Sequence, residues 1–297
     1  MKKAKSKKDV YEIVTQRIID KLKAGVIPWQ KKWMSKHRRP ENFVSKRKYK
    51  GILNMMLLSS LGYDSPYFLT FNQGKKLKAK LRKGEKGCPV TFWKILDKEE
   101  IDKDTGEKKK KKFFFLRYFT VFNVEQFDDL DYPKPVQPEE AKDFDPIKTS
   151  EELIARFPAD TAKIKHAGDS AFYSPLNDSI TLPKKETFDS EQDYYNVRFH
   201  ETVHSTGHSS RLDRIKSTSF GSNEYGKEEL VAELGASFLC SEAGIFNSIA
   251  DNSASYLDNW IKALKGDSKL LTGACSGARK AVEWLIGKEE QEEDSKA

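Results

Sequence analysis

After a basic opening arm, MKKAKSKK, apolar residues recur at helical spacing: Val10, Ile13, Val14, Ile18 and Leu22 share one face. Asp9 is the predicted N-cap, Glu12 three residues on completes a capping box, and Gly25 and Pro28 end the helix before Trp29. A second apolar stretch, Ile52 to Leu61, predicts a helix closed by Gly62. From Tyr67 to Gln126 the pattern changes to aromatic and β-branched runs, YFLTF, PVTFWKIL and FFFLRYFTVFNV, which predict strands. Between the last two lies DKEEIDKDTGEKKKKK, whose charge and Asp-Thr-Gly turn signal predict an exposed hairpin loop.

Residues 131 to 146 hold four prolines and few apolar side chains, the composition of a linker. Beyond them EELIARF predicts a short helix, and SAFYSPLNDSITLP a hairpin turning at Pro175 to Asp178. Residues 190 to 206 predict a helix opened by Ser190. Further helices are expected from about Lys227 to Ala243, Ser255 to Leu264 and Gly277 to Ile286, before an acidic tail. The pattern as a whole is α+β in two domains. An α+β domain spans 1–132 and a linker 133–147; a mainly helical domain with a small antiparallel sheet spans 148–288, and the tail is 289–297.

Charge sharpens this division. Residues 1–135 carry 34 Lys/Arg against 16 Asp/Glu, whereas residues 136–297 carry 19 against 29. The first half is thus suited to a polyanion and the second to something else. The three cysteines, Cys88, Cys240 and Cys275, form no CxxC pair and are odd in number, against a disulfide framework or a cysteine zinc site. With no apolar leader and no run of about 20 apolar residues, neither secretion nor membrane insertion is indicated, and a cytoplasmic protein is expected.

The chemistry concentrates in His200-Glu201-Thr202-Val203-His204, an HExxH pattern. On a helix its histidines share one face and can bind one zinc, while the glutamate addresses a water on it. The metzincin continuation fails, because its third histidine would fall on Ser210, and His208 reads as a surface histidine. Glu229 in KEELVAELGASFL is the better third ligand. Glu233, one turn on, would orient a ligand histidine. Glu201 would serve as general base and Tyr225, one turn before Glu229, would stabilise an oxyanion. His37 and His166 have no partner pattern.

In the first half aromatics alternate with cations: Trp29, Lys31, Lys32 and Trp33, then Lys48, Tyr49 and Lys50, then Arg82, Lys83 and Lys86 ahead of Trp93. Cations track phosphates and aromatic faces stack on unpaired bases, so single-stranded DNA is the expected ligand. No helix-turn-helix or zinc finger is visible.

The order of DVYEIVTQRIIDKLKAGVIPW, YKGILNMMLL, RKGEKGCPVTFWK, FTVFNVEQ, HETVHSTGHSSRLDR and EELVAELGASFL resembles the antirestriction ArdC family over nearly the whole chain. The resemblance implies a single-strand-binding domain followed by a zincin-like domain, similar to SprT and gluzincin groups, with His200, His204 and Glu229 on the metal and Glu201 in catalysis. It implies a plasmid, phage or other mobile-element protein that guards incoming single-stranded DNA from restriction. Its peptidase half would act on restriction enzymes or other DNA-bound proteins. The alternative is a DNA-binding shield in which zinc is structural. Some conjugation primases share a similar N-terminal domain, but no nucleotidyl-transfer motif is present.

Overall fold

The computed structural model describes residues 9–29, 39–101, 108–134, 145–215, 223–245 and 254–287. In the first half, helix α1 (Val10–Lys23) is capped by Asp9, whose carboxylate accepts the Tyr11 N–H, and α2 (Ile52–Ser59) is almost wholly buried. Strands β1 (Glu41–Asn42), β2 (Tyr67–Thr70), β4 (Cys88–Ile101) and β5 (Lys108–Asn123) form a sheet ordered β1-β2-β5-β4. A small ribbon of β3 (Lys80–Leu81) and β6 (Phe127–Asp128) sits beside it.

Two expectations are refined here. The run YFLTF is strand as far as Thr70, which caps a short helix, α3 (Phe71–Lys76), through a reciprocal capping box with Gln73. The charged run is ladder at both its ends, where β4 and β5 stay paired as far as Ile101 and Lys108, and the turn expected within it, residues 102–107, lies outside the described residues. The register sets Asp97, Glu99 and Glu100 opposite Lys112, Lys110 and Lys109.

The second half begins with α4 (Pro146–Ile154), with Asp145 as its N-cap and Pro146 in its first turn. Strands β7 (Lys163–His166), β8 (Phe172–Ser174) and β9 (Ser179–Leu182) form a sheet ordered β7-β9-β8. The β8–β9 hairpin is antiparallel, but β7, which the sequence pattern missed, runs parallel to β9. The sheet is therefore mixed. Helix α5 (Glu191–Ser205) is opened by Ser190, whose hydroxyl accepts the Asp193 N–H. Tyr195 and Phe199 bury its inner side. Helices α6 (Asn223–Ala243), α7 (Ala254–Gly266) and α8 (Leu270–Ile286) complete the half, α8 starting seven residues before its predicted onset at Gly277. At Gly235 of α6 a methyl group would lie 2.8 Å from the Val203 side chain on α5, so glycine permits the close approach of these two helices.

The halves are not separate bodies on a tether. Val14, Ile18 and Leu22 of α1 and Met56 and Leu57 of α2 belong to the same buried cluster as Leu230, Leu271 and Leu285. Trp29 is fully buried, edge-on to Trp260 of α7 at 6.0 Å, and its carbonyl accepts the Ser237 hydroxyl of α6 at 2.5 Å. Thr15 donates to the Ser268 carbonyl at 2.9 Å, and Arg39 pairs with Glu242 at 2.5 Å. Among the described residues no helix is long and apolar enough to cross a membrane.

Candidate metal centre

Helix α5 places His200 and His204 one turn apart on one face, and α6 brings Glu229 against them. Nε2 of His204 lies 3.1 Å from Nε2 of His200, and the Glu229 carboxylate oxygens lie 3.6 Å from His200 Nε2 and 3.5 Å from His204 Nε2. Three ligands at about 2.0–2.2 Å in a tetrahedral set stand about 3.3–3.6 Å apart. The donor triangle therefore matches a divalent metal, and it leaves a fourth direction free. It is the one His/Cys/Asp/Glu group of metal-binding geometry found among the described residues.

The electrostatics favour a cation. Burial alone would lower the His204 pKa, but the Glu228 and Glu229 carboxylates outweigh it and raise it to about 10. Burial opposes the charge of Glu229, yet the two imidazoles hold its carboxyl well below the usual carboxylate range. Glu201 is buried beside these ligands, and its charge also acts on His204.

Glu233, expected to orient a ligand histidine, lies close enough for its charge to act on His200. Glu233 accepts the Tyr256 hydroxyl of α7 at 3.1 Å, and burial pushes its pKa up. The carboxylate at the back of a ligand histidine is Glu228, whose Oε1 lies 3.6 Å from His204 Nδ1 and accepts from Arg214 at 2.8 Å. Tyr225 stands on α6 one turn before Glu229, but its side chain lies outside the described residues. His208 bonds Ser210 near the surface, and His166 packs on Tyr194, with its Nε2 3.1 Å from the Tyr194 hydroxyl.

The predicted nucleic-acid residues divide. Trp29 offers no face to a base, because it is core, an apolar ring taken up by Trp260. Tyr49 is mostly buried against Phe68, its hydroxyl accepts from Asn42 at 3.2 Å, and burial raises its pKa to about 12. Lys31, Lys32 and Trp33 lie outside the described residues. Lys48, Lys50, Lys83 and Lys86 are exposed, while Arg82 is paired with Glu85 at 2.9 Å. Trp93 is 55% exposed on β4. The structure adds neighbours to it on the hairpin: Phe92, Lys94 and Leu96 share one face with Phe115, Arg117 and Phe119, and Tyr118 shares the other with Trp93. All are exposed. Composition flagged this stretch as strand, but only the register reveals that its rings emerge beyond the edge of the core.

Taken together, a three-donor metal cluster on facing helices beside a small sheet, behind an α+β basic half, defines a zincin-like metallopeptidase domain joined to a polyanion-suited partner. Comparison with known proteins agrees on both parts: residues 150–277 match the zincin-like metallopeptidase family, and residues 8–122 match the N-terminal domain of anti-restriction factor ArdC. The chain belongs to the ArdC antirestriction family. It is 34% identical to the crystal structures of antirestriction ArdC protein from the R388 plasmid. The match covers 93% of this chain and 96% of the metal-free structure with a TM-score of 0.67, and 97% of the Mn(II)-bound one with a TM-score of 0.68. An uncharacterized protein of Sinorhizobium fredii, y4eC, is 32% identical over 93% of this chain and 91% of its own length. Two DNA primases TraC of Escherichia coli are each 36% identical over nearly the whole chain, which spans only 20% and 28% of their lengths.

Proposed function

We propose that this chain is a metal-dependent peptidase that acts where single-stranded DNA is held, as the antirestriction protein of a mobile element, with zinc on His200, His204 and Glu229. The observation that carries the reading is the donor triangle with Glu201 beside it. A divalent metal bound there would supply a Lewis acid and an activated water. Glu201 would take the proton of that water and return it to the leaving amine. Its burial favours this work, since a carboxylate shielded from bulk solvent would pass a proton from the bound water to the substrate rather than lose it to bulk water. The likeness to an Mn(II)-bound ArdC supports metal binding at this cluster and makes manganese the ion to compare with zinc.

The test is digestion of candidate substrates, a restriction endonuclease among them, by the metal-loaded and the chelated protein, each with and without single-stranded DNA. Cleavage that needs both metal and DNA is the expected result. Tight DNA binding with no cleavage under any loading would overturn the peptidase reading and leave the shield.

For the DNA itself the reading places the strand on the face of the β4–β5 hairpin where the exposed rings of Phe92, Phe115 and Phe119 share the surface with Lys94 and Arg117. Stacking is worth about 1–3 kcal/mol per base. The double variant Phe92→Ala, Phe119→Ala is therefore expected to weaken single-strand binding by at least tenfold, in fluorescence anisotropy with an unstructured oligonucleotide, with its melting temperature close to wild type. Unchanged affinity would move the contact surface elsewhere.

A further inference from the structure

Glu228 precedes the ligand Glu229 on α6 but faces a different atom. Its Oε1 lies 3.6 Å from Nδ1 of His204, the ring nitrogen that points away from the donor triangle. Arg214 holds the carboxylate by two bonds, from NH2 to Oε1 at 2.8 Å and from Nε to Oε2 at 3.2 Å, a bidentate pair. The same guanidinium donates to Oγ1 of Thr206 at 2.8 Å and to the carbonyl of Val203 at 3.0 Å. One side chain thus fastens the end of the histidine helix to the glutamate helix. Arg214 is itself held by the chain reversal after α5, in which the Leu212 N–H donates to the Thr206 carbonyl and the N–H groups of Arg214 and Ile215 both donate to that of Gly207.

We propose that Glu228 is a positioning residue for the metal centre. Its carboxylate, 3.6 Å from Nδ1 of His204, favours the tautomer with the proton on that nitrogen, which leaves the Nε2 lone pair as the one the ring offers to a metal, and Arg214 keeps the carboxylate seated and turned towards the imidazole. Glu228 is not a fourth ligand, because both its oxygens are engaged by Arg214 and it meets His204 on the side away from the triangle. The proposal rests on the metal reading above, and its test separates the two.

Zinc and manganese are titrated calorimetrically into the full, metal-free chain as wild type, Glu228→Gln, Glu228→Ala and Glu229→Ala. Loss of an outer carboxylate lowers metal affinity by about 10–100-fold. Glu228→Ala is expected to fall in that range, and Glu228→Gln, which keeps an acceptor oxygen but not the charge, between it and wild type. In nitrogen-15 spectra of the zinc-loaded wild type, His204 is expected to carry its proton on Nδ1. This second readout does not depend on the alanine variant folding. Affinities of both Glu228 variants equal to wild type, or a proton on Nε2 of His204, overturn the proposal. A wild type that binds no more tightly than Glu229→Ala overturns the metal reading itself, and the positioning role with it.

Discussion

Replacement of Trp29 by alanine is expected to cost about 3–5 kcal/mol of stability, the usual range for a fully buried tryptophan, and to leave single-strand affinity untouched in protein that remains folded. The ring is inaccessible, lies edge-on to Trp260, and belongs to a segment whose carbonyl is tied to Ser237 of α6. Its removal opens a cavity where the first half meets the second. Because buried residues of both halves form one cluster, the loss should appear in the unfolding of both. Urea titration followed by circular dichroism and by tryptophan fluorescence checks this. A loss below about 1 kcal/mol, or a fold that survives while DNA binding disappears, would mean that Trp29 leaves the core to stack on bases.

The second large effect concerns Glu201. Under the peptidase reading, Glu201→Gln should lower kcat by about 10²–10⁴-fold, the share of a general acid–base group, with metal affinity near that of wild type. Glutamine matches the shape of the buried side chain but cannot accept the proton. The measurement is single-turnover cleavage of a substrate established for the wild type, together with calorimetric metal binding. Undiminished cleavage would remove Glu201 from the mechanism. Loss of metal binding in step with activity would make it a part of the site's structure rather than its base.

Much of the centre was legible because its logic is local. His200 and His204 are one helical turn apart, and Glu229 follows on a second amphipathic stretch, so two helix predictions suffice to bring the three into register. The role of Glu228 is not legible in the sequence because it depends on Arg214, which reaches α6 only by the chain reversal after α5, and no periodicity encodes that reversal. Trp29 was misread for the opposite reason. A tryptophan followed by lysines has the chemistry of a stacking residue, and only α7, more than two hundred positions away, turns it into core. The helix α3 was signalled by Thr70 and Gln73, the two ends of a capping box, but it begins on Phe71, the last residue of an aromatic run that is otherwise strand. Strand β7 pairs in parallel with β9 across an intervening hairpin arm, a long-range match that the alternation of KIKH alone does not announce.

The contact between Gly235 and Val203 gives the centre a mechanical property. Val203 is the residue next to His204, and Gly235 lies six positions beyond Glu229, so the place where the helices touch is a fulcrum just behind the donor triangle. Any side chain there acts as a wedge, and the angle it opens is carried forward along both rods to the imidazoles and the carboxylate. The spacing of the three donors thus rests in part on a residue that is not one of them.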